Sequence, residues 1–211
     1  MKRSAAIYLA HLNPLTKAHE DIISFLKKDC KVYVFPVRFL KSDKEINTRS
    51  FPFPYIIRKA MIESVFSNDN SVTTLPDYTF FSPFIKYLPP LVSPYSWILR
   101  NQIVRNIKEE KFIAYTGDRA EKFALRVYGL HPIREKRLEI SSSAVKEMLY
   151  RQVIEGKREG IKEEKEKWHD KVPEKVADLI KDNWTIVEKF AKAPDLTLKS
   201  MGMKFPKEGF I

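Results

Sequence analysis

A short polar segment near the start of the chain combines residue types that bind phosphate. Residues 13–19 read NPLTKAH, and an amphipathic pattern typical of a helix follows them. The first turn of a helix has free N–H groups and the positive end of the helix dipole, which together attract anions. Thr16 adds a hydroxyl, Lys17 a positive charge, and His19 a donor whose charge varies near neutral pH. The same residues also fit a plain helix start, with Thr16 as the cap and His19 packed against the protein.

A second candidate anion site lies late in the chain, where residues 139–149 read EISSSAVKEML. Ser141, Ser142 and Ser143 open a predicted helix, and Lys146 follows within about one helical turn. Serine hydroxyls, first-turn N–H groups and an ammonium group all bind phosphate oxygens. The alternative is an ordinary serine cap with a lysine on the surface.

Strands and helices alternate around these segments. This order predicts an α/β fold with a doubly wound parallel sheet, in which ligands bind beyond the carboxyl ends of the strands. The loops expected to matter are 10–19, 38–50, 76–97 and 117–119. Of these, 38–50 is expected to be a basic polar loop, and the aromatic, proline-rich stretch 77–97 is expected to be irregular. Strands are predicted at 5–12, 31–37, 71–76 and 111–118, with helices after Thr16, from about Tyr55, from Trp97, after Asp118, from Ser141 and over 172–192.

The chain has 211 residues, which is enough for one α/β domain with a helical appendage. We expect a nucleotide-binding α/β domain over 1–150, a helical segment packed on it over 151–192, and a tail over 193–211. The tail lacks periodicity and is either mobile or an edge segment that packs on the domain.

The formal net charge is +11, which favours anionic partners such as nucleotides. Nucleic acid is a less favoured partner, because the charged stretch 155–171 mixes both signs and indicates a solvated helix face. The single Cys30 excludes an internal disulfide and a cysteine-based zinc site. No run approaches the roughly 20 apolar residues of a membrane span. A cytoplasmic location and no membrane partner are therefore the default expectation.

The two candidate anion sites together resemble the motifs of the HxGH superfamily of nucleotidylyltransferases. TKAH at 16–19 is similar to the (H/T)xGH motif, and ISSSAVK at 140–146 is similar to the late ISSTxxR motif. Both motifs look like those of the phosphopantetheine adenylyltransferase branch. The rest of the chain is more similar to the archaeal-type nicotinamide-mononucleotide adenylyltransferase branch, as in FPFPYIIRKAMI, AYTGD and KWHDKVPEKVADLI. The resemblance extends from about residue 4 to 192.

This resemblance implies a Rossmann-like fold and transfer of AMP from ATP to a small phosphorylated acceptor. Nicotinamide mononucleotide is the first acceptor to consider, giving NAD and pyrophosphate, with Mg²⁺ carried by ATP and no dedicated protein metal site. A homo-oligomer is expected by resemblance alone. The implied catalytic residues are His19, Thr16 and Lys146; the implied ATP-binding residues are Asn13, Lys17, Gly117, Asp118, Ser141, Ser142 and Ser143; the implied acceptor-binding residues are Lys41, Lys44, Arg58 and Trp97.

The chain departs from the family pattern at four positions. Ala10 and Ala18 stand where the motif has glycine, His11 where the archaeal branch commonly has arginine, and Lys146 where the late motif ends in arginine. Trp97 has two interpretations, since it could stack on a flat acceptor ring or pack within the protein. The alternative functions are an enzyme with another acceptor or with CTP, and a non-catalytic protein that binds nucleotide or RNA.

Overall fold

A parallel five-stranded sheet with the strand order β5-β2-β1-β7-β8 forms the centre of the molecule. The computed structural model describes residues 4–116, 119–134, 141–156, 167–201 and 203–211. The strand order reverses between β1 and β7, so the carboxyl ends of these two strands border the switch point where such sheets bind ligands. The strands of this sheet are β1 Ser4–Ala10, β2 Cys30–Pro36, β5 Val72–Thr74, β7 Phe112–Thr116 and β8 Pro132–Arg134.

Helices cover both faces of the sheet, which confirms the predicted doubly wound α/β fold. Residues of β1 alternate between the two faces, with Ala6 and Tyr8 in one buried cluster and Ala5 and Ile7 in the other. Helices α1, α2, α5, α6 and α7 pack on the first face, and α3 and α4 on the second. The helices are α1 Lys17–Leu26, α2 Tyr55–Val65, α3 Pro94–Arg105, α4 Arg119–Val127, α5 Ser142–Glu155, α6 Glu174–Asp182 and α7 Trp184–Ala191.

The prediction of irregular structure over 38–50 and 77–97 was wrong for parts of both stretches. They contribute a three-stranded sheet, in the order β4-β3-β6, built from β3 Arg38–Lys41, β4 Lys44–Glu45 and β6 Thr79–Phe81. Ser42 and Asp43 both have positive φ angles, 47° and 61°, as a two-residue hairpin turn requires. The strands form because Phe39 and Phe80 stack with ring centroids 5.4 Å apart in the second core, a long-range contact that local pattern does not reveal.

The C-terminal tail packs on this second core. It forms an antiparallel hairpin of β9 Thr197–Ser200 and β10 Met203–Pro206. Phe205 is 1% exposed, and its ring contacts those of Phe39, Phe80 and Phe84. Of the two alternatives for this segment, the structure therefore favours packing. Helix α5 crosses residue 150, and the division of the chain into three parts stays a prediction.

In the ranges that the structure describes, no helix combines the length and the apolar character needed to cross a bilayer.

Candidate functional site

The turn after β1 is held in place by the side chain of Asn13. Asn13 is 1% exposed, and its amide nitrogen donates to the Phe53 carbonyl at 2.9 Å, while the Phe53 N–H donates to its amide oxygen at 3.1 Å. The side chain thus fixes the turn to the segment before α2. The side-chain amide of Asn13 thus already has two backbone partners. Its assignment to ATP binding stays a prediction.

Replacing Asn13 by alanine is expected to lower the free energy of unfolding by about 2–4 kcal/mol, because it leaves a buried N–H and a buried carbonyl of Phe53 without partners. Urea denaturation measures this change. Asn47→Ala, at a half-buried amide in the same part of the chain, serves as the control and should change stability by only about 0.5 kcal/mol. Equal losses in both variants would contradict the structural role of Asn13.

The ring of His19 is fixed by the first turn of α1, whose N-cap is Thr16, as predicted. The Thr16 backbone N–H donates to His19 Nδ1 at 3.1 Å, and the Thr16 hydroxyl lies 3.0 Å from the same nitrogen. A backbone N–H can only donate, so Nδ1 carries no proton and the neutral ring holds its proton on Nε2. Nε2–H therefore remains as a donor to a ligand.

His19 is neutral at physiological pH. Burial lowers its pKa from 6.5 to about 4, and the positive charge of Lys146 lowers it further in the same direction. The expectation that the charge of this ring varies near neutral pH is therefore wrong for the free protein, in which the ring stays uncharged at that pH. A neutral imidazole with a fixed tautomer is a positioned hydrogen-bond donor.

The first half of α5 contacts the segment 13–19, which contains the first motif, at the carbonyls of its first two residues. Ser142 Oγ donates to the Pro14 carbonyl at 2.9 Å, and Lys146 Nζ donates to the Asn13 carbonyl at 2.9 Å. Ser141 is the N-cap, accepting from the Ala144 N–H at 3.2 Å. Two segments more than 120 residues apart in the chain thus form one surface, with the amino ends of α1 and α5 beside each other.

Lys146 is a buried cation. Lys146 is 8% exposed, and burial lowers the pKa of its ammonium group from 10.5 to about 8. The charge of Lys204 acts in the same direction, whereas Asp195 and Glu147 oppose it. Neither carboxylate forms an ion pair with Lys146 within 4.0 Å among the described residues. Lys146 is thus a charge whose burial an anionic ligand would offset.

The remaining predicted ATP-binding residues are less constrained. Lys17, at the first position of α1, and Ser143, in the first turn of α5, are exposed. The predictions for Gly117 and Asp118 lie outside the described residues, directly after the end of β7. Ala18 is 4% exposed, so its methyl group is buried in the protein.

Arg58 has structural partners. It is 3% exposed, its guanidinium lies 3.0 Å from a carboxylate oxygen of Glu45, and it donates to the His11 carbonyl at 2.8 Å. Glu45 also accepts from the Tyr55 N–H at the start of α2. Arg58 therefore links the end of β1 to β4 and α2, and its proposed contact with the acceptor stays a prediction.

Lys41 and Lys44 line a separate cleft of about 410 Å³, together with Lys189 and Glu208. Lys41 pairs with Glu208 at 3.3 Å.

Trp97 lies on α3, where its indole N–H donates to the Leu91 carbonyl at 3.1 Å and its ring meets Tyr128 edge-on at 5.0 Å. Within the ranges that the structure describes, Lys41, Lys44 and Trp97 form no hydrogen bond, ion pair or ring contact with the two motifs. The packing interpretation of Trp97 accounts for its observed contacts.

Sequence reasoning missed two groups beside the first motif. The ring of His11 stacks on Phe51 with centroids 4.5 Å apart, and burial lowers its pKa to about 3. Lys204, from the C-terminal hairpin, is one of three cations whose charges also act on His11. The position of His11 at the end of β1 was a usable signal, but no local pattern marks Lys204.

Within the described residues, no group of three or more histidine, cysteine, aspartate or glutamate side chains could hold a metal ion.

Comparisons with known proteins agree with this architecture. No family model matches the chain, and no curated protein matches its sequence. Among solved structures, a bifunctional NMN adenylyltransferase/ADP-ribose pyrophosphatase from Francisella tularensis matches with a TM-score of 0.55 and 15% identity, covering 92% of this chain and 58% of that one. This chain therefore spans less than two thirds of that bifunctional protein.

Two further structures cover most of both chains. A candidate nicotinate-nucleotide adenylyltransferase from Vibrio parahaemolyticus matches with a TM-score of 0.53 and 13% identity, over 89% of this chain and 96% of that one. The Plasmodium falciparum nicotinic acid mononucleotide adenylyltransferase complexed with NaAD matches with a TM-score of 0.50 and 15% identity, over 87% and 97%. The chain therefore has the fold of these mononucleotide adenylyltransferases.

Proposed function

We propose that the protein is an adenylyltransferase that transfers AMP from ATP to a small phosphorylated acceptor, and that the acceptor is a pyridine mononucleotide, with nicotinamide mononucleotide as the first candidate. The observation that carries this proposal is the contact between the two motifs. Ser142 and Lys146 bond to the carbonyls of Pro14 and Asn13, so the amino ends of α1 and α5 form one anion-binding surface.

The reaction that fits this surface is an in-line displacement. A phosphate oxygen of the acceptor forms a bond to the α-phosphorus of ATP, and the bond from that phosphorus to the oxygen bridging the α- and β-phosphates breaks. The electron pair leaves with pyrophosphate, and the products are a dinucleotide and pyrophosphate. The protein has little covalent work to do, so positioning and charge stabilisation account for the catalysis.

His19 and Lys146 supply different parts of that stabilisation. The Nε2–H of His19 donates to an α-phosphate oxygen as negative charge grows there, and the bond from Thr16 to Nδ1 holds the ring in the donating tautomer. Lys146, with the first-turn N–H groups of α5 and the hydroxyl of Ser143, holds the β- and γ-phosphates. Ser142 donates its hydroxyl proton to the Pro14 carbonyl and so holds α5 against the turn after β1.

Mg²⁺ carried by the phosphate oxygens of ATP and by water would supply further charge neutralisation on the leaving pyrophosphate.

The test is an assay with purified protein, ATP, Mg²⁺ and a panel of acceptors that includes nicotinamide mononucleotide, nicotinate mononucleotide and phosphopantetheine. We expect dinucleotide and pyrophosphate in equal amounts with a pyridine mononucleotide, and much less product when CTP replaces ATP. Product only with phosphopantetheine would reassign the acceptor. Absence of product with every acceptor, at a level no higher than for His19→Ala, would contradict an enzymatic role.

A further inference from the structure

The position of the C-terminal hairpin is set by the second core. Phe205 of β10 is 1% exposed among the aromatic rings of that core. Beyond β10, the carbonyls of Gly209 and Phe210 accept from the N–H groups of Phe84 and Ile85, at 2.9 Å in each case. The hairpin is therefore a fixed part of the fold, and a side chain that it carries towards the site has a defined place.

Lys204 projects from this hairpin to the segment that follows the β3–β4 hairpin. Its Nζ lies 3.4 Å from the Ser50 hydroxyl, which itself donates to an Asp195 carboxylate oxygen at 2.9 Å. Ser50 is 8% exposed and precedes Phe51, the residue on which the His11 ring stacks. The ammonium group thus reaches the end of β1 from the side of residues 50–51.

This ammonium group adds to an excess of positive charge at the site. Its charge lowers the pKa of both His11 and Lys146, so it acts on the residue after β1 and on α5 at once. Among the described residues, no carboxylate lies within 4.0 Å of Lys204 in an ion pair. Asp195, which accepts from Ser50, opposes these charges but forms no ion pair with Lys146 or Lys204 within 4.0 Å in the described part of the chain. An anion that both ammonium groups can reach would be attracted by both.

We propose that Lys204 is a substrate-binding residue that holds the phosphate monoester of the acceptor, so that the C-terminal hairpin forms one wall of the acceptor site. This inference rests on the proposed adenylyl transfer for the identity of the ligand. The amino ends of α1 and α5 supply the donors for the triphosphate, whereas Lys204 comes from neither helix. It enters beside Ser50, next to the Phe51 ring that stacks on His11 at the end of β1, and the proposal places the phosphate of the acceptor on this side of the site.

Kinetics of Lys204→Gln test the assignment to the acceptor. We expect KM for the acceptor to rise about tenfold or more, with KM for ATP unchanged, because one charge-assisted contact to phosphate is lost. Lys28→Gln is the control, since Lys28 is also exposed but lies beyond the carboxyl end of α1, at the opposite end of that helix from the site. An equal effect of both substitutions, or a rise in KM for ATP instead, would overturn the proposal.

A binding measurement decides the proposal even if adenylyl transfer fails. The lysines are labelled with ¹³C at Cε, and the Lys204 signal is assigned by its loss in Lys204→Gln. Inorganic phosphate is then titrated into the 211-residue chain. We expect the Lys204 signal to shift and the Lys28 signal, assigned in the same way from Lys28→Gln, to stay in place. A Lys204 signal that does not respond to phosphate overturns the anion site, whereas a wild-type protein without turnover overturns only the proposed function.

Discussion

Replacing His19 by alanine is expected to lower kcat for adenylyl transfer about 100- to 1,000-fold, while KM for ATP changes only a few-fold. Losses of this size follow from removing one fixed donor that acts where charge develops in the transition state. The expectation depends on the tautomer, because the bond from the Thr16 N–H to Nδ1 leaves Nε2–H free to donate. Steady-state kinetics with ATP varied at saturating acceptor separate kcat from KM.

Two control variants separate this role from the part that His19 plays in capping α1. His19→Gln keeps an acceptor for the Thr16 N–H, as glutamine does at this position of a capping box, but has no rigid ring to aim a donor. We expect its free energy of unfolding to lie within about 0.5 kcal/mol of the wild-type value, while its kcat stays low. His169→Ala, at an exposed histidine, should retain full activity. Full activity in His19→Ala would show that this ring does not touch the reacting phosphate.

Lys146 should control the alkaline side of the pH profile. Its pKa of about 8 means that the cation is present below pH 8 and is lost as the pH rises above it. In the wild type, kcat/KM for ATP should therefore fall about tenfold per pH unit above this point. In Lys146→Arg the guanidinium stays charged, so the profile should be flat to about pH 9.5, although the value at pH 7 is lower.

Lys146→Met removes the charge at every pH and should lower kcat/KM for ATP about 30- to 150-fold, as expected for the loss of about 2–3 kcal/mol of charge-assisted binding. Lys44→Arg is the control. Lys44 lines the separate cleft, so this substitution should leave the pH profile of kcat/KM as it is in the wild type. The same alkaline fall in Lys146→Arg as in the wild type would assign the ionisation to another group.

Local signals predicted much of this molecule. Thr16 caps α1 and α2 begins at Tyr55, as sequence alone indicates, because caps and helix starts depend on residues that are close together in the chain. The pairing of the two motifs was predicted only through resemblance. Its physical basis is the bond from Lys146 to the Asn13 carbonyl, which spans 133 residues.

The features that the sequence did not reveal depend on contacts between distant segments. Strand β3 forms because Phe39 meets the rings of Phe80 and Phe205, far along the chain. The contact between Lys204 and Ser50 spans 154 residues, and the tail that carries Lys204 has neither periodicity nor a motif. Burial of Arg58 against Glu45 likewise needs the β3–β4 hairpin, which no local pattern indicates.

The central claim, that the amino ends of α1 and α5 form one triphosphate site, is tested most directly by a crystal structure with Mg²⁺ and an ATP analogue that has a methylene group between the α- and β-phosphates. The predicted result is a triphosphate lying across both helix ends, with His19 Nε2 about 3 Å from an α-phosphate oxygen and Lys146 beside the β- and γ-phosphates. An analogue that binds in the cleft lined by Lys41 and Lys44, or that contacts neither motif, would contradict the claim.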